Sequence, residues 1–251
     1  MSDADDLRRT YDRDGFVIVR QFLPGAEFTE LKEQLRRYIS DVVPTLSDKH
    51  AFYVDKSRPE TLKQLQYMDV DPFFRGYLTH PRWKQLAESL VGEAANAQGT
   101  EWFNKPAGTT HPTPPHQDNY YFNLVPPNVL TMWLALEDVD EQNGCLRYVR
   151  GSHLTGRRPH GRSNILGFSQ GITDFGPSDT ANEVAVPLKA NDLVIHHGWT
   201  IHRADENQSA TRGRPSFAIV FRGISCRIDE DANRRYQESV RAQHTELGLK
   251  T

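Results

Sequence analysis

The chain has 251 residues, enough for one large domain with a substantial core, and its hydrophobic and charged shares of 37% and 25% are ordinary for a globular protein. Thirty Lys and Arg against 33 Asp and Glu leave a net charge of −3, which gives no electrostatic case for nucleic acid or an anionic membrane as main partner. Cys145 and Cys226 cannot build a disulfide framework, the charged N-terminal stretch has no apolar h-region, and no run nears the roughly 18 apolar residues of a membrane span, so a cytoplasmic, small-molecule protein is expected.

In chain order, Ala4–Tyr11 suits a short helix, and Gly15–Arg20 alternates as a strand does. After Pro24-Gly25, a helix is predicted over Ala26–Val42, where Phe28, Leu31, Leu35, Tyr38 and Ile39 recur at helical spacing. A further helix is predicted over Pro81–Val91, with Trp83, Leu86 and Leu90 on its buried stripe. The first 95 residues therefore read as mostly helical.

Beyond residue 95 short apolar runs alternate with Gly, Pro, Asn and Asp: Trp102–Lys105, Val129–Leu136, Leu146–Val149, Val184–Leu188, Leu193–His197 and Ser216–Phe221. That texture predicts an all-β sandwich or barrel. Within it, Leu130, Met132, Leu134 and Leu136 share one face, while Thr131, Trp133, Ala135 and Glu137 share the other. The glycine-rich stretch from about Leu154 to Asn182 has weak periodicity and is expected to serve as a functional lid. A charged, helix-prone tail runs over about 229–247. One domain over 1–251 is expected: a helical part over 1–95, a β core over about 96–225, and a closing helix.

His116-Gln117-Asp118 is the most informative triplet. On an extended segment, positions i and i+2 point to one face, so imidazole and carboxylate converge, and Pro112, Pro114 and Pro115 favour an extended approach. One more histidine would complete the two-His, one-carboxylate facial triad that leaves three positions open on non-haem Fe(II). His196, His197 and His202 are the candidates, and spacing alone does not choose among them. A 2-oxo acid can fill two of the open positions, and arginine is the natural receptor for its far carboxylate. Arg212 and Arg214 follow at a suitable distance, and Arg214 directly precedes the final core strand.

Together, Asn104-Lys105-Pro106, HQDNYYF (His116–Phe122), Trp133, NGCL (Asn143–Leu146), GSH (Gly151–His153) and His202 with Asn207, Ser209 and Arg214 resemble the phytanoyl-CoA dioxygenase family of Fe(II)/2-oxoglutarate oxygenases. The resemblance spans roughly Asp14 to Phe221. It implies a double-stranded β-helix, or jelly roll, that is mainly β with flanking helices. It implies His116, Asp118 and His202 as Fe(II) ligands and Arg214 as partner of 2-oxoglutarate, with Trp133 and Lys63 near that co-substrate. O2 is then the second co-substrate, and the reaction hydroxylates an unactivated C–H bond with release of succinate and CO2. Asp118 stands where related halogenating enzymes have a small residue, which favours hydroxylation or desaturation. Two departures are visible: Ala204 replaces a frequent small hydroxyl residue, and Gly213 stands where the arginine is usual, one place before Arg214.

For the substrate, Tyr67, Tyr120, Tyr121 and Phe122 are candidate pocket residues, and Arg157 and Arg158 could form an anion-binding mouth for a substrate such as an acyl-CoA. The competing classes are a zinc hydrolase and a non-catalytic cupin-like binding module. Arg214 beside Trp133 argues against the first, and an intact His116, Asp118 and His202 against the second.

Overall fold

The computed structural model describes residues 3–47, 50–165 and 168–246. Helix α1 (Asp3–Asp14) ends at Gly15, whose φ is +82°. A side chain there would also meet His153 and Thr200 at 2.5 Å, so only glycine lets the chain turn into β1 (Phe16–Val19). Helix α2 (Gly25–Arg37) runs on into a π-helical turn over Tyr38–Val42, so the stripe expected over Ala26–Val42 is continuous and buries Leu31, Leu35 and Tyr38. Strands β2 (Ala51–Tyr53) and β3 (Leu62–Leu65) interrupt what reads as a mostly helical region. At three and four residues, they are too short for alternation to register.

Helix α3 (Pro72–Gly76) is capped by Asp71, which accepts from the Phe73 amide. Helix α4 (Pro81–Val91) has the predicted bounds, set by proline at its first position and Gly92 in the left-handed region after its last.

The core follows as β4 (Ala95–Phe103), β5 (Thr113–His116), α5 (Asn119–Phe122), β6 (Leu124–Val125), β7 (Val129–Ala135) and β8 (Leu146–Val149). Then come β9 (His160–Ile165), β10 (Phe168–Ile172), α6 (Pro177–Asn182), β11 (Glu183–Val186), β12 (Leu193–His197), β13 (His202–Ala204), β14 (Ser216–Gly223) and β15 (Arg227–Ile228). The chain is described to the end of α7 (Glu230–Glu246); residue 247, the expected last residue of that helix, lies outside the described residues. A seven-stranded sheet runs β1-β12-β7-β14-β4-β3-β2, facing a four-stranded sheet ordered β11-β8-β13-β5. All pairs are antiparallel, with β9–β10 forming a hairpin next to β5. β4 begins seven residues before the run at Trp102, because Asn96, Gln98 and Glu101 break the apolar alternation there. The glycine-rich stretch also differs from expectation: it holds a hairpin and a short helix. Gly171 lets β10 approach β5, since a Cβ there would lie 3.2 Å from Pro114.

Alternation in β7 and β14 decides the layers. Leu130, Met132, Leu134, Phe217, Ile219 and Phe221 point out of the large sheet into a core with α2, α3 and α4. Trp83 of α4 meets Phe217 edge-on at 5.8 Å and Phe22 at 5.0 Å. Each such fully buried side chain contributes about 1.5–3 kcal/mol. Trp133, Ala135 and Ala218 point the other way, between the sheets, against Phe16, Tyr148 and Val194. The result is mainly β with flanking helices, a double-stranded β-helix, and the space between its sheets holds the site. No helix among the described residues is long and apolar enough to cross a membrane.

Candidate active site

Strand β5 ends at His116, and β13 begins at His202. The two residues are direct partners in the β5–β13 register, so their rings lie side by side with centroids 4.1 Å apart. His116 Nδ1 lies 2.8 Å from the Pro114 carbonyl, and His202 Nδ1 lies 3.0 Å from the Thr200 carbonyl. Each carbonyl can only accept, so each Nδ1 donates, and each Nε2 is turned toward the carboxylate. Asp118 does not lie on the extended segment that the His-x-Asp spacing suggests. Its backbone is helical (φ −58°, ψ −40°), at the start of α5, and this turn aims its carboxylate back at both rings. Asp118 Oδ1 lies 3.4 Å from His116 Nε2 and 3.5 Å from His202 Nε2. A ligand atom from each of the three residues falls within 4.8 Å of the others.

The second carboxylate oxygen is held elsewhere. Asp118 Oδ2 accepts from the Thr131 hydroxyl at 2.5 Å and lies 3.0 Å from His196 Nε2, while His196 Nδ1 meets the Tyr148 hydroxyl at 3.0 Å. With the carboxylate only accepting, His196 Nε2 donates and its Nδ1 accepts from Tyr148. His196 therefore orients the carboxylate and is not itself the third imidazole facing Oδ1. His197 lies across β12, near Tyr11 and His153. Burial opposes ionisation of Asp118, but the imidazoles of His202, His116 and His196 outweigh it and hold its pKa well below the usual carboxylate range. Burial, then His116 and His196, push His202 well below the ordinary imidazole value, which keeps it neutral. A neutral imidazole and an ionised carboxylate are the forms in which such side chains bind a divalent cation.

A cavity of about 270 Å³ opens over this cluster and includes Arg214 and Trp133 in its walls. Arg214 is 5% exposed, and its Nε and Nη1 have no hydrogen-bond partner. Its guanidinium sits 5.2 Å from the Trp133 ring centre. Burial lowers its pKa to about 10. A buried cation with unused donors is costly unless an anion meets it, and a planar carboxylate matches the fork. Arg212 differs: it reaches Asp140 at 2.9 Å and Gln142 at 2.9 Å. The donor set and the orphaned guanidinium thus fit a ferrous ion chelated by a 2-oxo diacid.

Lys63 lies on β3 and lines an adjoining cavity of about 70 Å³ that shares Arg214 with the larger one. Burial lowers its pKa to about 8. Lys105, in the same small cavity, donates to the Asp205, His111 and Ala204 carbonyls at 2.6, 3.1 and 3.4 Å. Its own carbonyl accepts from the Arg214 and Asn207 nitrogens, so it ties the arginine's loop to the turn after His202.

The substrate candidates divide. Tyr121 and Phe122 line the main cavity, and the Tyr121 hydroxyl donates to the Gln170 carbonyl at 2.7 Å. Tyr120 lies outside it, stacked on His160 at 3.9 Å with the Arg157 guanidinium over its other side at 4.4 Å. Arg158 commits its donors to Asp174 and Asp179, and Tyr67 is 58% exposed and is not among the residues lining the cavity, although its neighbour Gln66 is. Sequence reasoning passed over Gln64, Gln66, Glu101 and Tyr236, all in the cavity wall. Glu101 faces inward because β4 pairs it with Ala218, which pairs in turn with Trp133. The strand pairings carry that signal; the sequence does not. Thr131 was readable, since it shares a strand face with Trp133.

The family described as phytanoyl-CoA dioxygenase (PhyH) matches residues 11–216. The peroxisomal phytanoyl-CoA dioxygenase of Bos taurus is 27% identical over 247 residues, covering 92% of this chain and 69% of its own. Its Homo sapiens counterpart is 24% identical, covering 88% and 69%. Among solved structures, the epimerase SnoN in complex with Fe3+, alpha ketoglutarate and nogalamycin RO aligns with a TM-score of 0.72 at 26% identity, over 89% of this chain and 84% of that one. The alpha ketoglutarate dependent carbocyclase SnoK aligns with a TM-score of 0.71 at 25% identity, over 90% and 85%. With the His-Asp-His cluster and the free arginine in one cavity, the chain belongs to the phytanoyl-CoA dioxygenase family and is an Fe(II)- and 2-oxoglutarate-dependent oxygenase.

Proposed function

We propose that His116, Asp118 and His202 hold the ferrous ion, that Arg214 receives the far carboxylate of 2-oxoglutarate, and that the enzyme hydroxylates a C–H bond of a small molecule seated over them. The observation that carries this is the pair of unpartnered donors on buried Arg214, in the same cavity as the three convergent ligand atoms. When bound, the metal and 2-oxoglutarate supply O2 activation coupled to decarboxylation to succinate and CO2.

The chain's own residues do the rest. His116 and His202 present Nε2 because the Pro114 and Thr200 carbonyls occupy their other nitrogens. Thr131 and His196 hold Asp118 Oδ2, so Oδ1 is the oxygen that would be offered to the metal. Trp133 packs beside the guanidinium and restricts water at the carboxylate pair. A carboxylate at 118 leaves no place for a halide, so oxygen transfer or desaturation is the expected outcome.

Two structural neighbours are named for epimerisation and carbocyclisation, so incorporation of isotopically labelled O2 into product is the test of hydroxylation. An acyl-CoA substrate draws little support from the mouth, where Arg158 is committed to Asp174 and Asp179. The free thiols of Cys145 and Cys226 support a reducing, cytoplasmic setting, which cell fractionation would check. Anaerobic binding of 2-oxoglutarate to Fe(II)-loaded protein tests the arginine assignment: affinity drops in Arg214→Ala and holds in Arg212→Ala. The opposite result moves the role to Arg212.

A further inference from the structure

Glu101 is a carboxyl group in the active cavity for which the proposed chemistry has no use; burial, and then Asp118, raise its pKa to about 7, so it ionises readily only where a cation faces it. It stands on the inner face of β4, opposite Trp133 across Ala218, and lines the same cavity as the three proposed ligands. Among the described residues, its carboxyl group takes one hydrogen bond, a long one from Gln64 Nε2 at 3.4 Å. Among the described residues, no Lys, Arg or His forms an ion pair with it. Lys63 and Lys105 line the adjoining cavity instead, and Lys105 faces Asp205 and Glu206.

The charges of the loaded site sharpen the point. Ferrous ion, Asp118, the two carboxylates of 2-oxoglutarate and Arg214 together come to neutrality. Ionised Glu101 is then a charge that neither the metal nor the co-substrate compensates, in a cavity whose wall includes Phe103, Tyr121 and Tyr236. An isolated carboxylate in such surroundings is stabilised by a cation, and aromatic faces favour the alkylammonium kind. Resting on the reading of the site given above, we infer that Glu101 is the substrate-recognition residue and that the substrate carries a protonated amine, which it anchors by a charge-assisted hydrogen bond.

The test uses full-length protein loaded anaerobically with Fe(II) and 2-oxoglutarate, titrated by calorimetry with matched probes: benzylammonium against benzyl alcohol, cyclohexylammonium against cyclohexanol, and benzoate as the anion. The ammonium member of each pair should bind at least about tenfold more tightly than its alcohol, and benzoate more weakly than either. Glu101→Gln should reduce that preference to under about threefold, and Glu101→Asp should keep part of it. If no ammonium probe outbinds its alcohol in the wild-type protein, the assignment is overturned, even if Glu101→Gln cannot be folded. Succinate release with Fe(II) and 2-oxoglutarate is measured in parallel. Wild-type protein that releases succinate without ammonium preference loses only this inference; protein that releases none loses the reading of the site as well.

Discussion

The floor of the cavity and its mouth are built differently. On the floor, the three proposed ligands are tied in place: Asp118 by Thr131 of β7 and His196 of β12, and His116 and His202 by carbonyls two residues before them. The Arg214 amide donates to Lys105 and Asn104 oxygens. At the mouth the contacts around the cavity-lining rings are of another kind. Tyr121 reaches the Gln170 carbonyl, Gln170 reaches Ser239 of α7, and Tyr236 touches Tyr120 and Tyr121 through ring edges. The floor fixes a reaction, while the mouth can vary without disturbing it. Consistently, the family match ends at residue 216, before α7 begins.

The contrast predicts that substitutions on the floor cost the most. Asp118→Ala should lower succinate formation by well over about 100-fold, since losing an outer partner of a metal ligand alone costs about 10–100-fold. It should also abolish the rise in melting temperature that Co(II) gives the wild-type protein, because a ligand that binds only the folded state stabilises it. Undiminished turnover would break the ligand assignment. Arg214→Ala should follow, raising KM for 2-oxoglutarate by roughly 30-fold or more, from the about 2–5 kcal/mol that truncating a buried charge pair costs. Arg212→Ala should stay within about threefold, since its partners are half-exposed surface groups. His196→Asn comes third. It removes one of the two groups that hold Asp118 Oδ2 and leaves the proposed ligands in place, so iron affinity should fall about 10–100-fold, as read by titration with Fe(II) under anaerobic conditions. An effect as large as that of Asp118→Ala would mean that His196 itself binds the metal.

The same contrast explains what was legible in the sequence. Strands β7, β8, β12 and β14 are buried on one or both faces, so alternation or apolar runs marked them, and the two sides of β7 were assigned correctly down to Thr131 and Trp133. The floor residues sit in short motifs whose spacing is fixed by local turns. Asp118 shows the limit: the pairing of His116 with Asp118 was readable, but its cause is a helical turn and not strand alternation. Asn104, Asn143 and Asn207 stood out in the motifs, and each proves to hold loops by bonding backbone groups. The mouth was opaque because its residues meet only through tertiary contacts. Glu101 and Tyr236 are 135 positions apart and carry no common pattern, and Tyr67 and Arg158 looked equally suitable until their surroundings were known.

The smallest effect belongs to Tyr236, the residue through which α7 enters the cavity wall. Its ring meets Tyr121 at 5.9 Å and Tyr120 at 6.2 Å, both close to perpendicular. Edge-to-face pairs contribute about 0.5–1.5 kcal/mol each, and the loss of one such contact's worth in Tyr236→Ala corresponds to roughly 2–10-fold in apparent affinity for whatever fills the mouth. That ring reaches the floor at one remove, through Tyr121, which meets the His116 ring at 5.9 Å, so KM for 2-oxoglutarate and iron affinity should stay within about twofold of wild type while KM for the organic substrate rises. A comparable rise in KM for 2-oxoglutarate would mean that α7 supports the floor as well. The mouth would then lose the independence that allows selectivity to change around constant chemistry.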